Sequence, residues 1–392
     1  MNHPPFPLRQ RRQHKMISFI SEELITDALS FLLVKSLLRF RCVHKSWNSL
    51  ISDPNFIKLH LNRSSQTRDF TLVYTSDCRA LTFTVFRLLE NPPIIFNLPK
   101  DPYYQFKDKD CVYIVGSCNG LLCLLGHSYT NGYREMWFRC WNPATRTISG
   151  KLGYGCDKNG DIGFPFTFPT NLTFGYDNST DTYKVVYFDP SGTKARVFSL
   201  RENVWRNIQD SPTGTHDYAM NIVHLSGSVY WLAIRNYFTR YDCKDITIEQ
   251  FVIVSLDLGT ETHAQLAPPQ GFNEVPYVVP NLSVLNNCLC FSHDYKQTHM
   301  VIWKTKKFGG EESWTQFFKI SYYNLQIYDH FNDLKFALLP LCLSEKSDTL
   351  VLTSNLESQA ILYNWRYNKV QRINKLCWFN DKSYVESLVS YC

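Results

Sequence analysis

Residues 112–125 read Val112-Tyr113-Ile114-Val115-Gly116-Ser117-Cys118-Asn119-Gly120-Leu121-Leu122-Cys123-Leu124-Leu125. Two apolar runs flank Asn119-Gly120, and both turn residues accept positive φ, so the stretch predicts a tight β-hairpin. The unit recurs down the chain. Leu172-Thr173-Phe174-Gly175-Tyr176-Asp177 leads to Tyr183-Lys184-Val185-Val186-Tyr187, and Ile222-Val223-His224-Leu225 turns at Ser226-Gly227 into Val229-Tyr230-Trp231-Leu232. Leu282–Leu285 turns at Asn286-Asn287 into Leu289-Cys290-Phe291, and Leu341-Cys342-Leu343 turns near Ser347-Asp348 into Leu350-Val351-Leu352.

Gly120, Asp181, Gly227, Asn287 and Asp348 are spaced 61, 46, 60 and 61 residues apart. After each comes a second hairpin-like piece: Trp141–Arg146, Phe198–Trp205, Ser255–Thr260, Ile302–Thr305 and Tyr363–Asn368. Four strands per repeat of this length fits a propeller blade similar to the kelch type. A blade buries both faces only between neighbours, so the ring must close. Five units are legible. Phe70–Leu89 and Tyr384–Val389 are candidates to share a sixth from the two ends.

The front of the chain has a different period. Ser21 is placed to cap a helix, with Glu22 and Glu23 at its positive end. Leu24, Ile25, Ala28, Leu29 and Leu32 then fall on one helical face. Val34–Phe40 makes a second short helix, and Val43, Trp47, Leu50 and Ile51 mark a third. Asp53-Pro54, a cap followed by proline at the first helical position, opens a fourth. Helices this short do not enclose a core of their own against an ordering cost of ~1–2 kcal/mol per residue. They must dock, on the rest of the chain or on another protein.

Leu24-Ile25, Leu29, Leu32, Val34-Lys35-Ser36-Leu37-Leu38-Arg39-Phe40-Arg41-Cys42-Val43 and Lys45-Ser46-Trp47 resemble an F-box in its plant form. Gly116–Cys123 with Trp141–Thr145, Phe174–Asp177 with Tyr183–Val186, and Gly227–Leu232 are similar to motifs of the F-box-associated interaction domain. The likeness covers most of residues 19–370. It implies an α+β multidomain chain: a basic, disordered tail over 1–18, a helical F-box module over 19–62, and an all-β kelch-like propeller over 70–392. It further implies a Skp-family adaptor as partner, and through it a cullin–RING ubiquitin ligase. The propeller then holds a protein target, in the cytoplasm or nucleus. Adaptor contacts carried over by the resemblance are Leu24, Ile25, Leu29, Leu32, Val34, Leu37, Leu38, Phe40, Val43 and Trp47. Two departures stand out: the family usually has proline at the positions of Ser21 and Leu33, and His44 replaces a commoner Cys or Ser. The prolines would fix the backbone, so their loss predicts weakened rather than absent adaptor binding.

Composition narrows the other classes. The 392 residues exceed one typical single-core domain, and 44% apolar with 15% aromatic residues favours a large β-rich core. Net charge is +6, from 41 Lys+Arg and 35 Asp+Glu, and four of those charges are Arg9, Arg11, Arg12 and Lys15. Charge therefore demands no nucleic-acid partner. No apolar run approaches the ~18 residues of a membrane span. Residues 1–15 hold three prolines and no apolar run, unlike a signal peptide, and Met16 is an alternative start. Thirteen cysteines without a CxxC pair read as reduced, buried thiols. The sequons at Asn62, Asn171, Asn178 and Asn281 are chance matches without export.

No catalytic set is recognisable. Cys118 sits in a mimic of a nucleophile elbow, but a strand follows where a helix is required. Cys288-x-Cys290 with His293 lacks a second ligand pair, and His224 and His263 read as structural histidines. There is no phosphate loop, HExxH, calcium loop or Asp-box, so no cofactor is expected. Aromatic residues in the longer stretches include Trp137, Tyr154, Phe164, Phe166, Phe168, Tyr237, Phe238 and Tyr241. With Arg235 and Arg240 nearby, Tyr154, Phe166, Arg235, Tyr237 and Arg240 are candidate target contacts. Alternative functions are a kelch-like scaffold uncoupled from any ligase and a glycan-binding propeller.

Overall fold

Local signals explain the helical head. Ser21 Oγ accepts the Leu24 amide and starts α1 (Glu22–Ser30), and Leu33 precedes α2 (Val34–Arg41). His44 Nδ1 accepts the Ser46 amide at 3.2 Å and caps α3 (Lys45–Ile51), so this histidine does the capping work of a Ser. Asp53 Oδ1 accepts the amides of Asn55 and Phe56 and caps α4 (Pro54–Thr67). The third helix thus begins past Val43, and the fourth is longer than the sequence indicates. The computed structural model describes residues 21–67, 71–76, 79–84, 111–130, 133–157, 171–188, 194–211, 222–236, 241–305, 314–327, 337–354, 359–374 and 382–391. The basic tail over 1–18 lies outside them.

All strand pairs among the described residues are antiparallel. The strands β1 (Thr71–Ser76) and β2 (Arg79–Thr84) pair first. Blade 1 is β3 (Cys111–Cys118), β4 (Leu121–Thr130), β5 (Tyr133–Asn142) and β6 (Thr147–Ile148), with β7 (Leu152–Asp157) also on β5. Blade 2 is β8 (Leu172–Asp177), β9 (Thr182–Phe188), β10 (Ala195–Ser199) and β11 (Val204–Asn207). Blade 3 is β12 (Val223–Leu225), β13 (Ser228–Ile234), β14 (Phe251–Asp257) and β15 (His263–Leu266). Blade 4 is β16 (Asn281–Leu285), β17 (Cys288–Tyr295), β18 (His299–Thr305) and β19 (Trp314–Ser321). Blade 5 is β20 (Leu338–Ser344), β21 (Thr349–Ser354), β22 (Gln359–Asn364) and β23 (Lys369–Asn374). Finally β24 (Lys382–Tyr384) pairs with β1, completing a three-stranded sheet of order β2-β1-β24. The first strands of successive blades touch one another, and β24 touches both β3 and β20. Five full blades and a sheet shared by the two ends therefore close a β-propeller. The end piece Tyr384–Val389 is strand only at Tyr384.

The cores lie between blades. One apolar cluster joins blades 1 and 2 through Leu121, Phe138, Phe174 and Phe198, and another joins blades 2 and 3 through Val186, Phe188, Val229 and Trp231. Phe251, Phe272 and Phe291 bridge blades 3 and 4, and Ile302, Ile320, Leu350 and Leu352 bridge blades 4 and 5. Tyr384 enters the core of blade 1 beside Trp137 and Trp141, which fills the closing seam. Second strands are covered on both faces, so β9 and β21 are buried along their whole length. Fourth strands such as β11 and β15 are mainly exposed and polar. The turns between first and second strands carry positive φ at Asn119 and Gly120, as the sequence predicts, and also at Asp181, Ser226, Gly227, Asn286, Asn287 and Asp348.

Antiparallel order puts these turns, and those between third and fourth strands, on one rim. The second-to-third turns and the blade crossovers lie on the far rim. The helical head occupies the first rim. Lys58 of α4 pairs with Asp181 at 3.5 Å, and Leu388 enters the helical core beside Leu29, Val34, Leu37, Ile51 and Phe56.

Candidate functional site

Burial sorts the ten candidate adaptor contacts on the head. Leu29 (6% exposed), Val34 and Leu37 (both 0%) face its interior and not solvent. The reason is the docking of α4 and Leu388, which covers the stripe these residues share. Ile25, Leu32, Leu38, Phe40 and Trp47 are half-buried around that core, and Phe40 meets Trp47 edge-on at 5.1 Å. Leu24 (63% exposed) and Val43 (69%) stand free. The head also exposes Phe31 and Leu33, each 56%, which periodicity did not select. Both lie at the break between α1 and α2, where a helical pattern gives no signal; two exposed large apolar side chains beside Leu32 were the available clue.

Polar clamps hold this surface in shape. The Arg63 guanidinium donates to the Asp27 carboxylate, the Asp27 carbonyl (2.9 Å) and the Ser30 hydroxyl, tying α4 to α1. Its carbon lies 4.3 Å from the centre of the Phe31 ring, so the ring is fixed from behind. His60 Nε2 donates to the Leu32 carbonyl at 3.0 Å.

On the propeller, Tyr154 is 55% exposed on the outer edge of blade 1 and hydrogen-bonds to Glu135. Arg235, at the far-rim end of β13, is exposed and donates to Gln265 Oε1 at 2.7 Å. Phe166, Tyr237 and Arg240 lie outside the described residues, as do Phe164, Phe168 and Phe238. Tyr154 and Arg235 stand on different blades and form no common site. Trp137 belongs to no irregular stretch; it is fully buried in β5, and Tyr241 is buried with its hydroxyl on the Pro276 carbonyl at 2.6 Å. A cavity of about 270 Å³ opens beside Tyr277, His293, Asp294, Tyr295 and Lys296, which the sequence did not single out as binding residues.

Of the weighed cysteines and histidines, Cys118, Cys290 and His293 are buried, and Cys288, His224 and His263 are half-buried. Cys118 is buried with its sulfur 3.5 Å from His224 Nδ1, and burial pushes its thiol far above the usual range. That holds the sulfur protonated beside a neutral imidazole, the opposite of an activated thiolate. Cys290 donates to the Cys288 carbonyl, and burial pushes its thiol up to about 12. Among the described residues no group of three or more His, Cys, Asp and Glu side chains could hold a metal ion, and no helix is long and apolar enough to cross a membrane.

Comparison with known proteins agrees with this two-part build. Residues 17–59 match the F-box domain, and residues 73–391 match the F-box associated beta propeller domain. The F-box/kelch-repeat protein At3g23880 of Arabidopsis thaliana is 25% identical over 310 residues, 76% of this chain and 78% of its own length. The Arabidopsis F-box protein CPR1 is 25% identical over 331 residues, covering 77% of this chain and 73% of its own. With a capped helical head seated on one rim of a closed ring, and both parts matched along their length, this chain belongs to the plant F-box proteins that carry an F-box-associated β-propeller domain.

Proposed function

We propose that the protein is the substrate-recognition subunit of a Skp–cullin–F-box ubiquitin ligase and is itself non-catalytic. One observation carries this reading: Leu24, Phe31, Leu33 and Val43 are exposed large apolar residues gathered on the head, while its remaining stripe is already covered from within. Exposed apolar side chains concentrated on one small module mark a protein-binding surface. A Skp-family adaptor covers them, and the far rim, turned away from the head, receives the target. Holding the target near a charged ubiquitin-conjugating enzyme raises the effective concentration of its lysines, so no residue of this chain needs to touch the bond being made. The complex works in the cytoplasm or nucleus, where the ligase components reside.

Leu24→Asp and Val43→Asp test this on the free face, whereas Leu37→Asp would place a carboxylate in the helical core and report on folding instead. Each of the first two variants is expected to lower adaptor affinity at least about tenfold, about 1.4 kcal/mol, with thermal unfolding unchanged. Equal adaptor recovery by wild type and both variants in co-purification overturns the proposal.

A further inference from the structure

The far-rim cavity between blades 3 and 4 holds about 270 Å³. At ~30 Å³ per water, that is room for one long side chain and not for a folded element. Its wall is built by Cys243, by 273–277 from the crossover between the blades, and by 293–297 at the turn between β17 and β18.

Most polar groups in this wall are already matched. His293 Nε2 accepts the Trp303 indole N–H at 3.2 Å, and its Nδ1–H donates to the Asp294 carbonyl at 2.9 Å, which uses both nitrogens of the neutral ring. Burial lowers the pKa of that imidazole and keeps it neutral. Lys296 Nζ is paired with Glu274 Oε1 at 3.1 Å. The Asp294 carboxylate differs. Its donors are all uncharged: the Tyr322 hydroxyl at 2.9 Å, the Gln297 amide at 3.2 Å and the Tyr277 amide. No ion pair to it is found among the described residues. Burial raises its pKa, the mark of a charge lacking a counter-charge. Tyr277 (47% exposed) and Tyr295 stand beside it, and the Tyr295 ring already attracts cations of this chain, Lys319 at 4.5 Å and Lys296 at 5.4 Å from its centre.

We propose that this cavity receives a basic side chain, arginine or lysine, of the target protein, its cationic head on Asp294 and its stem against Tyr277 and Tyr295. The inference rests on the reading that the far rim takes the target. Lys296 is spent on Glu274, and Lys319 lies over the Tyr295 ring with no ion pair to Asp294, so Asp294 is the lining carboxylate left to select a cation. Tyrosine walls add contact area at low entropic cost, as in other protein interfaces.

The test uses the full chain and pentapeptides acetyl-Gly-Gly-X-Gly-Gly-amide, with X as Arg, Lys, citrulline or Glu, followed by ligand-observed NMR titration. Citrulline keeps the shape of arginine without its charge. At least tenfold tighter binding of the Arg or Lys peptide than of the citrulline and Glu peptides supports the proposal. Asp294→Asn should abolish that preference, and Tyr277→Ala, at an exposed position, should weaken the basic peptide at least threefold. Absence of binding, equal binding by the Arg, citrulline and Glu peptides, or a preference surviving Asp294→Asn overturns it. Leu24→Asp should leave peptide binding unchanged, so a failure of adaptor docking and a failure of this site are told apart.

Discussion

Gly175 shows how a single residue is dictated by its neighbour blade. A Cβ there would come within 2.4 Å of His224 Cδ2 and 2.8 Å of Leu258 Cδ1, so only glycine fits. The contact lets the Tyr176 amide donate to His224 Nε2 at 3.2 Å. Two residues on, buried Asp177 is surrounded by the Ser179 amide and hydroxyl, the Thr180 hydroxyl and Lys184 Nζ at 3.0 Å. Burial alone would raise this carboxyl, but the hydrogen bonds outweigh it and hold it well below the ordinary range. Lys184 also reaches Glu261 of blade 3 at 3.2 Å and donates to the Leu258 carbonyl. The Phe-Gly-Tyr-Asp and Tyr-Lys pieces read in the sequence are therefore the clamp between blades 2 and 3.

Burial brings the His224 imidazole down to about 4. An unfolded histidine titrates near 6.5, so on acidification the unfolded chain takes up this proton first. The stability it represents is fully present above about pH 6.5 and is lost as the pH falls toward 4, roughly 3 kcal/mol in all. His224→Gln should remove this component. Denaturant titrations of both proteins across that range check it, and parallel pH profiles would refute the assignment. At Ser21 and Leu33 the backbone already has φ −61° and −64° with ψ 148° and 145°. The missing prolines would impose that same geometry, so their loss costs preorganisation and leaves the path of the chain unchanged.

Residues 385–391 act as one element that joins head to ring. Ser387 donates to the Asn119 carbonyl at 2.9 Å, and Asn142 Nδ2 donates to the Ser387 and Val389 carbonyls at 3.0 and 2.9 Å. Gly120 is required beneath it, since a Cβ there would meet the Ser387 side chain and the Val385 carbonyl. Leu388 then enters the helical core. Leu388→Ala should cost about 2–4 kcal/mol at this junction. Hydrogen exchange should report it as faster amide exchange in α1, α2 and α4, with β9 and β21 protected as before; unchanged exchange in those helices would contradict it. The helices and hairpins were legible because their caps, turns and periods are local. The strap was not, because Val385–Val389 reads as another apolar strand until its partners, more than 240 residues away in the chain, are in place.

At the scale of the molecule, closure rests on three residues of β24 laid against β1, with Tyr384 in the blade 1 core. Removing 382–391 opens the ring and strips the head of Leu388. Thermal unfolding should fall by about 10 °C or more and lose cooperativity; an unchanged single transition would show that closure contributes little. The head on one rim and the cavity on the other also separate the two proposed docking events. The second was beyond sequence reasoning: Tyr277 comes from the crossover between blades 3 and 4, Asp294 and Tyr295 from the end of β17, and the three share no period.

By itself the sequence determined the local grammar: four helices with the caps of the first and fourth, the turns that set blade spacing, and apolar runs that only stacked sheets could bury. These follow from interactions within a few residues of each other. Tertiary structure decided which leucines of the head face inward, which rim it covers, and which carboxylate is left without a counter-charge. Those outcomes depend on groups distant in the chain competing for the same space, and burial is settled only once the ring has closed.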